Sequence, residues 1–593
     1  MKNWLQKFGW FFAFTAVFAA AAIWLFWGTW SCDVVPVMPD CQTNFRDWTS
    51  VIEGFWRSFI ATGKFVPDDL KILFASPWVW VELQYVFAAY MAALGLAFFL
   101  RGKGLTALAS YGAGLFLAFS GYWITLFSAG HLGWFRWMTY GVFAFGLIDR
   151  CLPRRGESDA AKPQISNIVG WALLGACVAW GSFYQPDLWL LFTIFTGAYF
   201  VWRAIAVRRW DWRGMIVAGA VFCVIGAPSF YSAFVNDLAA RDQQISSGGA
   251  GGAGAGRGKS AADAAQKAEE RWIFVTNWSL PPDEIAEALR PRLNGDTSCV
   301  LTQALGAKAG RDVKPYTGAL GRAYGAKSGN YRQHSLYLGV INCLAAFLAV
   351  IFVAIAIKSK NRQFAALKSR NSEILFFAAA AVVFLLFACG RYCEPVYRLV
   401  YALPFGDYLR GPVKWYHLFE FCVAVLAGYG LDAVQRLIAA RFDQSASAGE
   451  KTAALELQTS GFKLQISTLL LAAVVVAGVA GLVNVDRRYC APVDMRAAKA
   501  KNAVMQMTFL HKSQFANPQL AAMANAGLLQ PLAYFPGNRE VYLVGALEPR
   551  GPKKSAPMPP WTLPTWLGLV SFAASAVVLG GAGVCKLKSV RKV

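Results

Sequence analysis

FGWFFAFTAVFAAAAIWLFWGTW, residues 8–30, is an unbroken apolar and aromatic run preceded by Lys2 and Lys7. A run of about 20 apolar residues suffices to cross the ~30 Å hydrocarbon layer of a bilayer. It is longer than the apolar core of a secretory signal and lacks a convincing small-residue cleavage site, so it reads as a retained first helix. Runs of the same kind recur along the chain, which is 56% hydrophobic and 15% charged over 593 residues. In lipid a helix satisfies its own backbone donors and acceptors, so the sequence predicts an all-α polytopic membrane protein.

The crossings are expected near residues 8–30, 79–100, 105–127, 134–149, 167–184, 187–207, 214–235, 335–357, 373–390, 415–433, 464–485 and 561–584. The short run 134–149 reads equally as a re-entrant segment. These crossings divide the chain into an N-terminal membrane module (1–235), an extramembrane segment (236–334), a second group of helices (335–485), another extramembrane segment (486–560) and a last helix with a basic tail (561–593). Within 236–334, the stretch SSGGAGGAGAGR (246–257) is a flexible linker. A helix is expected from Ala261 to Arg271, and WSLPPDEIAEALRP (278–291) reads as a helix capped by Ser279.

The net charge of +23 invites a nucleic-acid reading, but its distribution argues against one. The positive residues collect in short links between apolar runs: Arg101 and Lys103, Arg150 with Arg154 and Arg155, Arg203 to Arg213, Lys358 to Arg370, and Lys586 to Lys592. Short basic links mark the cytoplasmic side, which places both termini there and the three large extramembrane pieces outside. Some of this charge also faces anionic membrane lipids.

Acids are scarce, 34 against 57 basic residues, yet six stand in the first outer loop: Asp33, Asp40, Asp47, Glu53, Asp68 and Asp69. Charge that is rare elsewhere and gathered beside a membrane face points to a site. In the late stretch LPFGDYLRGPVKWYH (403–417), Arg410 and Lys414 stand four residues apart where a helix enters the membrane. A guanidinium fork and an ammonium suit phosphoryl oxygens. From spacing alone the two also read as a snorkelling anchor pair. His131 lies at a turn among aromatics in SGYWITLFSAGHLGWFRW (120–137), and Glu82 sits near the outer end of the second helix, where an acid is normally paired or functional. All four histidines (His131, His334, His417 and His511) map to the outer side or an outer helix end. Cys32 and Cys41 lie in the outer loop, where an oxidising compartment permits a bridge, and Cys299 with Cys490 form a weaker pair. Cysteines at metal-type spacing and a phosphate-cradling glycine loop are absent.

The acid-bearing first loop, the 120–137 turn, the WSLPPDEIAEALRP segment before YRQHSLYLGV, and LPFGDYLRGPVKW followed by an AGYGL helix together resemble the YfhO-like bacterial membrane proteins. That family is similar to the GT-C superfamily of integral-membrane glycosyltransferases. The resemblance implies a GT-C-like bundle in the bacterial inner membrane. It also implies a sugar on a polyprenyl-phosphate donor, transferred at the periplasmic or exterior face to a cell-envelope glycan or polymer. An acid of the first outer loop then serves as base, with Asp40 in PDCQTNF the best match and Asp47 its rival. Arg410 and Lys414 would bind the donor phosphate, with His131 orienting it or the acceptor. A divalent cation, Mg2+ or Mn2+, would bridge acid and phosphate, although no sequence feature demands one. A flippase of lipid-linked sugars and a non-catalytic envelope assembly protein are the competing expectations.

Overall fold

The computed structural model describes residues 2–30, 34–37, 48–73, 80–129, 131–152, 164–237, 261–294, 335–358, 370–403, 406, 409–447, 453–487, 508–511, 533–535, 539–541 and 558–590. Asp40, Asp47, His334 and the cysteine pairs Cys32/Cys41 and Cys299/Cys490 lie outside the described residues. The protein is a multi-pass helical membrane protein. Among the described residues, ten helical stretches are long and apolar enough to cross a bilayer.

The helices run, in chain order, α1 (Lys2–Leu25), α2 (Trp48–Thr62), α3 (Trp80–Gly102), α4 (Ala107–Ala118), α5 (Gly121–Ala129), α6 (Leu132–Arg136), α7 (Met138–Cys151), α8 (Gln164–Gly181), α9 (Pro186–Val207) and α10 (Trp212–Tyr231). They continue with α11 (Ala261–Val275), α12 (Val340–Lys358), α13 (Asn371–Cys389), α14 (Glu394–Tyr401), α15 (Tyr416–Ser447), α16 (Ala453–Asp486) and α17 (Leu563–Val590). Two short antiparallel ribbons complete the described structure. In one, β1 (Val34–Val37) pairs with β2 (Thr508–His511), Val34 opposite His511, and in the other β3 (Ala533–Phe535) pairs with β4 (Arg539–Val541).

Two polar layers fix the direction of the helices. In the first, Lys103, at the end of α3, meets Asp149 of α7 (2.8 Å) and Glu373 of α13 (2.5 Å), while Arg203 of α9 meets Asp149 at 2.9 Å. Tyr199 Oη lies 3.0 Å from both carboxylates. Beside them Asp432 of α15 accepts from Arg370 (2.8 Å), Arg436 (2.7 Å) and the backbone N–H of Thr106 (2.8 Å). The opposite layer holds Asp68, Arg136, Tyr184, Asp187 and Lys414. From Asp187 to Arg203 on α9, and from Lys414, in the turn that leads into α15, to Asp432 on α15, the helical rise is about 25 Å, close to the thickness of a bilayer's hydrocarbon core.

These contacts also settle the two short helices. Helix α7 is too short to span by itself, yet it leaves the layer of Arg136 and reaches Lys103 through Asp149. Helix α8 begins where Asn167 and Trp171 reach Asp211, the residue that caps α10, and ends beside Tyr184. Among the described residues, α7 and α8 thus add to the ten candidate spans as helices that run between the two polar layers. The sequence-expected crossings all fall on helices.

Ser279 does not cap a helix. Its hydroxyl donates to Thr276 O (2.7 Å) and accepts from the Arg391 N–H (3.0 Å), because it is buried at a junction. The segment beyond it is a 3-10 helix, Pro282–Ala288.

Candidate functional site

Lys414 is 5% exposed, an unusual fate for an ammonium, and the chain around it explains how it is held. Gly411 adopts φ +79°, which favours glycine, and reverses the chain into the 3-10 turn Pro412–Trp415 that leads into α15. Its N–H donates to Val275 O at the end of α11 (2.9 Å), and the Val413 N–H donates to Trp278 O (3.1 Å). The Leu280 N–H reaches Ala388 O on α13 (2.8 Å). Arg391 donates to Ile273 O (3.0 Å) and Thr276 O (3.2 Å), satisfying carbonyls at the end of α11. The WSLPP stretch is therefore the strut against which the GPVKW turn is built.

The 120–137 stretch meets the same turn from the other side. The Gly121 N–H donates to Tyr337 O (2.8 Å), and Tyr122 Oη donates to Val413 O (3.2 Å). The Lys414 ammonium sits 4.6 Å from the centre of the Trp134 ring and forms an ion pair with Asp187 in the first turn of α9. His131 packs its ring 4.9 Å from that of Trp134. Three stretches that stand far apart in sequence thus surround one cation.

Next to Trp134, Arg136 carries the link to the first loop. Its guanidinium donates to Asp68 Oδ2 (3.1 Å), lies 3.7 Å from Asp69 and stacks 4.4 Å over the Tyr184 ring. Asp68 is 4% exposed and also accepts from Tyr140 Oη (3.2 Å) and Tyr184 Oη. Asp69 Oδ2 accepts the Val66 N–H (3.0 Å) and shapes the turn that delivers its neighbour. The loop is tied down elsewhere by Thr565 of α17, which donates to Ile60 O (2.7 Å), and by the β1–β2 pairing.

Of the sequence-expected residues, Lys414 and His131 meet through Trp134, whereas Arg410 stacks 4.2 Å over Phe274 of α11. Glu82 is fully buried near the start of α3. Asp40 lies three positions beyond β1, and Asp47 immediately precedes α2; both are outside the described residues. The first-loop acids seen in this layer are Asp68 and its neighbour Asp69, and Asp187 is the carboxylate on Lys414; sequence reading singled out none of the three. The described residues contain no cluster of three or more His, Cys, Asp or Glu side chains suited to a metal ion, so they offer no cage for Mg2+ or Mn2+.

A desolvated lysine next to an indole face and paired with one carboxylate is a strong electrostatic centre in a low-dielectric setting, chemistry that suits an anion able to displace that carboxylate. No family model, curated protein or solved structure matches the chain.

Proposed function

We infer that the protein is an integral-membrane glycosyltransferase of GT-C type. It would move a sugar from a polyprenyl-phosphate donor to a cell-envelope acceptor at the membrane face that carries Lys414. The observation that carries this reading is the convergence of the 120–137, 276–280 and 411–417 stretches on that lysine, in the same layer as acids of the first loop. On this reading the protein lies in the bacterial inner membrane with both termini cytoplasmic, and the Lys414 layer faces the periplasm or exterior.

The chemistry follows from the groups present. The acceptor hydroxyl gives its proton to a first-loop carboxylate, Asp40 or Asp47, as its oxygen forms the new bond to the anomeric carbon. The bond from that carbon to the phosphate oxygen breaks, and the charge gained by the leaving phosphate is stabilised by Lys414 and Arg410. His131, one ring away from Lys414, orients the phosphate or acceptor, and Glu82 supports the layer from α3.

The test uses purified protein in lipid nanodiscs with a polyprenyl-phosphate sugar. Transfer is expected, falling about 100-fold or more in Lys414→Met and in one of Asp40→Asn and Asp47→Asn. Undiminished transfer in all three variants would overturn the assignment. A second reading, a flippase of lipid-linked sugars, is favoured by the ionisable pair His417 and Glu420 inside the α15 span. It predicts movement of intact donor between the leaflets of a vesicle, without transfer, surviving both first-loop substitutions.

A further inference from the structure

Three and six residues beyond Lys414, α15 carries two ionisable side chains buried within its membrane span. His417 is 0% exposed and Glu420 is 1% exposed, with His417 Nδ1 lying 3.5 Å from Glu420 Oε2. Among the described residues, neither ring nitrogen and neither carboxylate oxygen finds a hydrogen-bond partner of normal geometry. Buried polar groups are hydrogen-bonded in the great majority of cases, and an unpaired charge in lipid is expensive. A sequence that keeps both groups here, on a helix otherwise rich in Val, Leu and Ala, is retaining them against their cost.

The surroundings limit what the pair can bind. The His417 ring lies 4.6 Å from the Tyr122 ring and 6.2 Å from that of Trp137, packed closely on both sides. Ser120, fully buried at the α4–α5 junction, interacts with Glu420. Lys414 acts electrostatically on His417 from the entry of the same helix, and Asp486 acts on Glu420 from the end of α16. Tyr416, one residue before His417, donates to Leu336 O (2.7 Å). With aromatic rings against the imidazole and one imidazole facing one carboxylate, the donor set suits a proton or a water carrying one.

We propose that His417 and Glu420 form an intramembrane proton-binding site, one proton shared between imidazole and carboxylate and exchangeable with the Lys414 layer. Binding one proton takes the pair from a net charge of −1 to zero. Within the occupied pair, transfer breaks the Glu420 Oε–H bond and forms the His417 Nδ1–H bond, leaving net charge unchanged. The site stands beside either reading of function. In a transferase it takes up or returns the proton released at the acceptor, and in a flippase it is the coupling ion's seat.

The chain's four histidines make the measurement tractable. Protein labelled with 15N-histidine in lipid nanodiscs gives four ring signals, and His417→Gln assigns one by its loss. If that variant does not fold, His131→Gln, His334→Gln and His511→Gln assign it by elimination. The expected result is a single pH-dependent step of the His417 signal between about pH 4 and about pH 10, displaced by about one pH unit or more in Glu420→Gln. Infrared difference spectra should show a carboxyl band, following the same step, that Glu420→Gln abolishes and Glu420→Asp moves. A wild-type His417 signal that stays constant over that range would overturn the proposal. So would a step that folded Glu420→Gln leaves in place. Neither outcome bears on whether sugar is transferred, so loss of this site leaves the transferase reading standing.

Discussion

Asp68 and Arg136 come from segments separated by the whole of α3, α4 and α5, and each would be costly where it sits without the other. Their side chains are 2% and 15% exposed, so removal of one strips the other's buried charge of its nearest opposite charge, with only Asp69, 3.7 Å from Arg136, left to offset the loss of Asp68. Asp68→Ala is expected to cost roughly 3 kcal/mol, read as a lowered thermal midpoint of the protein in detergent, and Arg136→Met about as much. The double variant should cost clearly less than the two single losses added together, because neither charge is then stranded. Additive losses would mean that the two residues act independently of their ion pair. Lys414 and Asp187 obey the same logic. On the transferase reading the carboxylate would also keep the ammonium satisfied until a substrate anion arrives.

Between helices the decisive residues are small. A Cβ on Gly430 of α15 would fall 1.8 Å from Ala345 O on α12, so the two backbones meet only because the side chain is absent. Gly430→Ala should therefore force the helices apart at a cost of about 1–3 kcal/mol. Gly197, in α9, meets nothing within 4 Å, and Gly197→Ala should be neutral or stabilising by up to about 1 kcal/mol. Thermal midpoints of the two variants side by side check this, and equal responses would sink the close-packing argument. These features show what a sequence discloses at this scale. The apolar runs were legible, including α7, because hydropathy is local. A serine before Pro-Pro-Asp-Glu looks like a cap, and only the packing of the 276–280 stretch on the turn that follows α13 reveals where the Ser279 hydroxyl goes. Asp187, in the first turn of α9, reads as an ordinary helix-start acid, and its partner is distant in the chain. Pairing of that kind is tertiary and leaves no local trace. The late lysine was legible through its place at a helix entry, whereas the scarcity of acids marked the first loop without saying that Asp68 would be the one anchored.

At the scale of the molecule, the two ends of the bundle carry different chemistry. One end holds the α3–α4 turn, where Lys103 O and Gly104 O accept from Arg370 and Gly104 O also accepts from Arg436. To it belong the Arg208 and Arg209 link and the start of α10. The other end receives the acidic first loop, β1–β2 and the Lys414 turn. Basic links stay on the side of synthesis because moving them across the membrane is unfavourable, so the Lys103 end should face the cytoplasm. Reporter fusions test this directly. Alkaline phosphatase placed after residue 250, in the Gly-rich linker, should be active, since it folds only outside. The same enzyme placed after residue 156, in the link between α7 and α8, or at the C-terminus should be inactive, while green fluorescent protein at both of those positions should fluoresce. The reverse pattern would put the Lys414 layer in the cytoplasm, where a polyprenyl-phosphate donor facing outward could not reach it.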